Sequence, residues 1–208
     1  MPYDLKIILG SAGALIGLSS YVPYYRDIFR GRTKPHPFSW FVWGLVSSIA
    51  FFAQISSDGG IGAWATGVTS LACFSIALSG VFFGEKHITT LDVISFTGAL
   101  AGIIIWRETH DPFFAVVLMV AVHTLGFVPT FRKAYLRPYE ETLLTYILSL
   151  FKWGFGLLAL SSFTPTTALF PAAVFTMNST FSLMLFIRRK QLTPTGTLTA
   201  SAATKLSA

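Results

Sequence analysis

The sequence has little charge. Asp, Glu, Lys and Arg make up 12% of its 208 residues, against roughly 25% in an ordinary soluble domain. It has one cysteine, Cys73, inside an apolar run, so a disulfide within the chain is excluded. No pair of carboxylates stands inside an apolar run, since Asp92 lies near the end of one. The chain also lacks metal-type Cys/His spacing, a Gly-rich phosphate loop and a Ser-His-Asp set suited to burial. No metal, no cofactor and no enzymatic activity are expected.

The chain is instead rich in apolar residues, at 53%, with a mean hydropathy of +0.64. A soluble fold of this size cannot hide so much apolar surface. The composition reads as an all-α integral membrane protein with the lipid bilayer as its surroundings. Fifteen Lys and Arg against nine Asp and Glu give a net charge of +6. The basic residues flank apolar runs, the ordinary orientation signal of membrane helices, so nucleic acid is not expected as a partner.

A helical crossing needs about 20 mostly apolar residues. Seven runs qualify: residues 5–25, 38–56, 62–83, 90–106, 113–131, 142–161 and 167–187. The first lacks a small-x-small cleavage site and ends on Tyr24 and Tyr25, so it reads as a retained span. Arg26, Arg30, Arg32, Lys34, Lys86, Arg132, Lys133, Arg137, Arg188, Arg189, Lys190 and Lys205 all fall on one side of these runs. Lys6 and Arg107 fall on the other, and Lys152 lies within a run. The imbalance places the N-terminus outside and the C-terminus in the cytoplasm, in a cell (plasma or inner) membrane. Residues 191–208 have no hydrophobic period and read as a disordered tail.

Tyr21-Val22-Pro23-Tyr24-Tyr25-Arg26 is echoed 106 positions later by Phe127-Val128-Pro129-Thr130-Phe131-Arg132. Each copy leads into a basic loop with a second proline, Pro35 or Pro138, and a span opening on Ser39 or Thr142. Four spans separate the copies, so two three-span units point the same way with span four between them. This reading gives seven transmembrane helices. Residues 1–86 form a first triple-helix bundle, 87–111 a linker helix, and 112–190 a second, parallel bundle. An offset of 102 aligns the polar stripes of spans two and six, whereas the loop prolines give 103.

The motif Tyr21-Val22-Pro23-Tyr24-Tyr25-Arg26, with the following Arg-Thr-Lys-Pro-His-Pro-Phe-Ser-Trp-Phe-Val-Trp of residues 32–43, resembles the PQ-loop and SWEET superfamily. Where that group has Gln after Pro, this chain has Tyr24 and Thr130. The resemblance covers the whole 3 + 1 + 3 plan. It implies a small-solute transporter akin to SWEET carriers, nicotinamide-riboside-type vitamin carriers or PQ-loop amino-acid exporters. A non-transporting receptor or assembly factor of the same architecture is the alternative. Short loops leave that alternative little surface for a protein partner, and association as a homo-oligomer is left open.

A proline inside a helix removes a backbone hydrogen bond and kinks the chain. The matched Pro23 and Pro129 are therefore candidate hinges for two bundles that rock against each other. His123, Lys152 and Asn178 each stand about ten residues from a span end, near mid-span, where repeat-built transporters hold their substrates. Lys152 shares a stripe with Thr145, Ser149 and Gly156, opposite Leu144, Ile147, Phe151 and Leu158. Similar stripes run through Ser39, Trp43, Ser47, Ala50 and Gln54, and through Thr167, Pro171, Val174, Asn178 and Ser182. Asn178 resembles the substrate-contacting asparagine of a SWEET bundle, while its first-half counterpart falls near Phe74. Trp43 is placed to stack on a ligand. The expected site is thus Lys152, Asn178, His123 and Trp43, taking a neutral polar or anionic solute by alternating access.

Overall fold

A computed structural model describes residues 3–31, 35, 37–84, 90–136, 138–140 and 142–192. Among them stand seven α-helices: α1 (Tyr3–Phe29), α2 (Pro37–Ser56), α3 (Trp64–Phe83), α4 (Thr90–Thr109), α5 (Pro112–Leu136), α6 (Leu143–Leu158) and α7 (Pro165–Leu192). Short 3-10 turns at Gly60–Ala63 and Pro138–Glu140 precede α3 and α6, and the described residues contain no strand. The fold is all-α.

Local chemistry sets several helix ends. Pro37, Pro112 and Pro165 each occupy the first helical position, where a missing N–H breaks no helical bond. Asp111 caps α5, its Oδ1 accepting the Phe113 N–H at 2.8 Å. Thr164 caps α7 in the same way, accepting the Thr167 N–H at 3.3 Å. Gly31, at φ 67°, closes α1 in the left-handed conformation that glycine adopts without steric cost.

The composition breaks do not mark the helix ends. Helix α1 continues past Arg26 to Phe29, and α5 continues past the expected break at 132 to Leu136. Helix α7 runs on through Gln191 and Leu192, the first two residues of the expected tail. Lys, Arg and Gln are good helix formers, so a polar flank ends the apolar run without ending the helix. The remainder of that tail, residues 193–208, lies outside the described residues. So do Arg32, Lys34, Glu85, Lys86 and Arg137.

Helix α3 packs against both α1 and α2, and α7 packs against both α5 and α6. Between these groups α1 lies along α6 and α2 along α5, while α4 rests on α5 and α2. The Lys6 ammonium donates to the carbonyls of Leu160 at 2.8 Å and Ser161 at 3.2 Å, tying the start of α1 to the end of α6. The backbone N–H groups of Ser161 and Ser162 donate to the carbonyls of Gly59 and Asp58 at the same end. At the other end, Arg188 donates to the Tyr135 carbonyl at 3.0 Å and stacks 4.1 Å from that ring. Arg189 there donates to the Pro138 carbonyl at 3.1 Å.

Three buried clusters hold the helices. The largest joins Val42, Val46 and Ala53 of α2 to Val116, Met119 and Val122 of α5, with Trp153, Phe170 and Val174. A second gathers Tyr21, Ile28, Ala72 and Ile76, with Tyr25 and Trp40 packed on it. A third gathers Phe127, Ala134, Phe181 and Leu185, with Phe131 and Leu143 packed on it.

The outer surface is apolar. Leu15, Leu18, Leu71, Leu78, Phe82 and Leu183 are all exposed, while Gln54, Thr66, Lys152 and Thr167 are buried. This reverses the arrangement of a water-soluble domain and is compatible with an integral membrane protein. Of the seven expected spans, four are long and apolar enough to cross a bilayer: α1, α2, Gly60–Phe83 (α3 with its leading turn) and α7. Helix α4 carries Asp92, Arg107 and Glu108. The apolar stretches Pro112–Phe127 and Leu143–Leu158 are shorter. The latter has 16 residues, about 24 Å at 1.5 Å per residue, against a hydrocarbon core of about 30 Å.

Candidate functional site

Helix α6 presents one buried face, Ser149, Lys152, Trp153 and Gly156, while Leu144, Phe151 and Leu158 face outward. Lys152 therefore points inward and is 2% exposed. Its stem runs beside Gly17 of α1, where an added Cβ would lie 2.8 Å from Lys152 Cδ. The ammonium reaches through that gap to donate to Thr69 Oγ1 on α3 at 2.9 Å and to the Tyr21 hydroxyl on α1 at 3.4 Å. It also lies 4.6 Å from the Trp153 ring centroid and 5.2 Å from that of Tyr21. Such cation–π contacts replace part of the lost hydration. Thr69 in turn donates to the Ala65 carbonyl at 2.8 Å, leaving its lone pairs to the ammonium. Among the described residues no carboxylate comes within 4.0 Å of Lys152; Arg26 and Asp27 form the ion pair seen there.

His123 stands in α5 within an aromatic enclosure and is 8% exposed. Its ring lies 6.0 Å from Trp43, 6.1 Å from Phe127 and 5.5 Å from Phe170. Phe170 lies 5.9 Å from Trp153, so two rings link the surroundings of His123 to those of Lys152. Trp43 is half-buried on α2, and its Nε1 would lie 2.9 Å from a Cβ added at Gly126 of α5. Asn178 is buried on α7 and donates to the Val174 carbonyl of its own preceding turn at 2.8 Å. Pro23 lies within α1 and residue 129 within α5.

The structure thus brings His123 and Trp43 together. Lys152 does not bond to His123 or Asn178; its hydrogen-bond partners are Tyr21 and Thr69. Neither was among the expected site residues. The available signals were faint. Tyr21 carries a hydroxyl where the second motif copy has Phe127, and Thr69 shares a helical face with Thr66 and Cys73.

Six buried polar atoms have no hydrogen-bond partner among the described residues: Ser47 Oγ, Gln54 Oε1, Thr66 Oγ1, His123 Nδ1, Thr145 Oγ1 and Ser182 Oγ. Gln54 and Thr66 lie toward the end that holds Lys6, where the Gln54 amide donates to the Thr167 carbonyl of α7 at 2.8 Å. Ser47 and His123 lie mid-helix, and Thr145 and Ser182 lie toward the end that holds Arg188. Among the described residues no three of His, Cys, Asp and Glu form a metal-binding group. Compared with known proteins, the chain matches no family model, no curated protein and no solved structure.

Proposed function

We propose that the protein is a seven-span membrane transporter of small solutes, in which two parallel three-helix units move against each other about Pro23 and Pro129. The observation that carries this reading is the series of six unpartnered polar atoms running from one end of the bundle to the other. A buried polar group without a partner costs about 1–3 kcal/mol. Sequences retain such groups where water or a solute completes the bonding. They are carried by α2, α3, α5, α6 and α7 and are spread from one end of these helices to the other, which matches a path rather than a single structural defect.

The parallel-repeat reading draws support from the packing. Tyr21, Tyr25 and Ile28 in one cluster correspond to Phe127, Phe131 and Ala134 in another, each 106 positions on. Trp40 and Leu143 correspond at 103, the offset given by the loop prolines. The contacts of α1 with α6 and of α2 with α5 exchange under the same correspondence. The basic residues flanking the apolar runs support an orientation with the Arg188 end in the cytoplasm and the N-terminus outside, in a plasma or inner membrane.

Uptake of a labelled metabolite panel into proteoliposomes containing the purified chain is the test. Saturable flux of at least one solute, absent from empty vesicles, is the expected result. No flux with any solute, together with a co-purifying protein, favours the non-transporting receptor of the same architecture.

A further inference from the structure

We propose that the central site takes a small monovalent carboxylate, bound by the Lys152 ammonium where it stands beside Tyr21. This inference rests on the transport reading and names its substrate class.

The first argument is charge. Lys152 is buried on α6 with no carboxylate within 4.0 Å among the described residues. The nine acidic residues, at 4, 27, 58, 85, 92, 108, 111, 140 and 141, all fall outside the middle of the seven apolar runs. A buried cation is retained where a counter-charge completes it, and the described residues supply no carboxylate within 4.0 Å. The ligand does.

The second argument is donor geometry. An ammonium has three N–H donors, and the described residues accept two of them, at Thr69 and Tyr21. The Tyr21 hydroxyl accepts from Lys152 and is itself hydrogen-bonded to the Cys73 side chain, so the third N–H of the ammonium is the donor left for a ligand. A charged N–H donor matches a carboxylate oxygen, which accepts a short, charge-assisted hydrogen bond. A neutral polyol would leave the charge uncompensated.

The third argument limits valence and shape. Lys152 is the single cation at this depth, so a dianion would bury a second, unpaired charge. The surfaces beside the ammonium are the Trp153 and Tyr21 rings, followed by Phe170, which suit a compact apolar body. Access lies along the α1–α6 seam, where Gly13 meets the Lys152 carbonyl and Gly17 meets its stem. Parting of the two helices exposes the ammonium.

The test uses the full-length purified chain. Thermal stability is measured with benzoate and with its neutral counterpart benzamide. Proteoliposome uptake is measured with lactate and with lactamide. Benzoate is expected to raise the melting temperature and benzamide to leave it unchanged, with lactate taken up in preference to lactamide. Lys152→Met should weaken benzoate binding about ten- to a hundredfold. Tyr21→Phe should weaken it less, and Lys152→Arg should restore it only in part. Lactamide or other neutral solutes carried as well by Lys152→Met as by the parent would overturn the carboxylate assignment and leave the transport reading intact. Benzoate stabilisation that requires Lys152, with no flux of any solute, would support the assignment and overturn transport. Neither binding nor flux would overturn both.

Discussion

Lys152 joins three helices through one atom. Its donors reach Thr69 on α3 and Tyr21 on α1, so its loss is felt on elements it does not belong to. Thr69→Val keeps the shape of the side chain and removes the acceptor. A hydrogen bond to a charged group contributes about 1.5–3 kcal/mol, and the variant should lose about that much stability. In a Lys152→Met background the same change should cost far less, because the charge it served is gone. Equal losses in both backgrounds, measured by denaturant unfolding in detergent, would show that Thr69 acts independently of Lys152. The burial of Lys152 was legible in its stripe with Ser149 and Gly156, because helical spacing is a local property. Its partners were not, since Tyr21 and Thr69 lie 131 and 83 residues away and only the packing of α1 and α3 on α6 brings them in. Asn178 shows the converse. Its place inside the bundle followed from the pattern, whereas its bond to the Val174 carbonyl is a side-chain choice that spacing does not dictate.

At the scale of elements, the α1–α6 seam depends on small residues. Beside it, Gly62 in the turn before α3 faces α6 so closely that an added Cβ would stand 2.5 Å from the Gly156 carbonyl oxygen and the Leu160 nitrogen. Both are backbone atoms and cannot turn aside. Gly62→Ala should therefore destabilise the protein by about 1–3 kcal/mol, the usual cost of overpacking. An unchanged melting temperature would show that the turn relaxes freely. The prolines make a different demand. Pro23 lies within a continuous α1, so the helix tolerates the bond it loses there. Under the hinge reading, Pro23→Ala and Pro129→Ala should purify normally and slow solute exchange. Parent-like flux in both would reduce the prolines to tolerated breaks. The apolar runs were readable because length and hydropathy are summed over many residues. The helix ends were less so, because Arg132 and Lys133 end an apolar run while favouring the helix that continues through them to Leu136.

For the whole molecule, the decisive property is which end faces the cytoplasm. The Arg188 end joins α5 to α7 through Arg188 on Tyr135 and Arg189 on Pro138, with the end of α1 and its Arg26 alongside. Lys190 lies 4.3 Å from the Phe186 ring, so aromatic and basic side chains interleave there as they do at a membrane interface. The opposite end holds Lys6 against the carbonyls of Leu160 and Ser161, and its exposed tip is Phe163, 74% accessible. Positive charge is retained on the cytoplasmic side during insertion, and the proposed orientation accordingly takes the Arg188 end as the inner one. Two single-cysteine probes separate the orientations. Cys73 is buried and gives little background. Phe163→Cys should react with an impermeant maleimide in intact cells. Gln191→Cys, exposed at the end of α7, should react only after permeabilisation. The reverse pattern would invert the molecule without altering a helix contact. Labelling of both probes in intact cells would place the two ends of α7 on one side, and the end-to-end path through Ser47 and His123 would then have no membrane to cross.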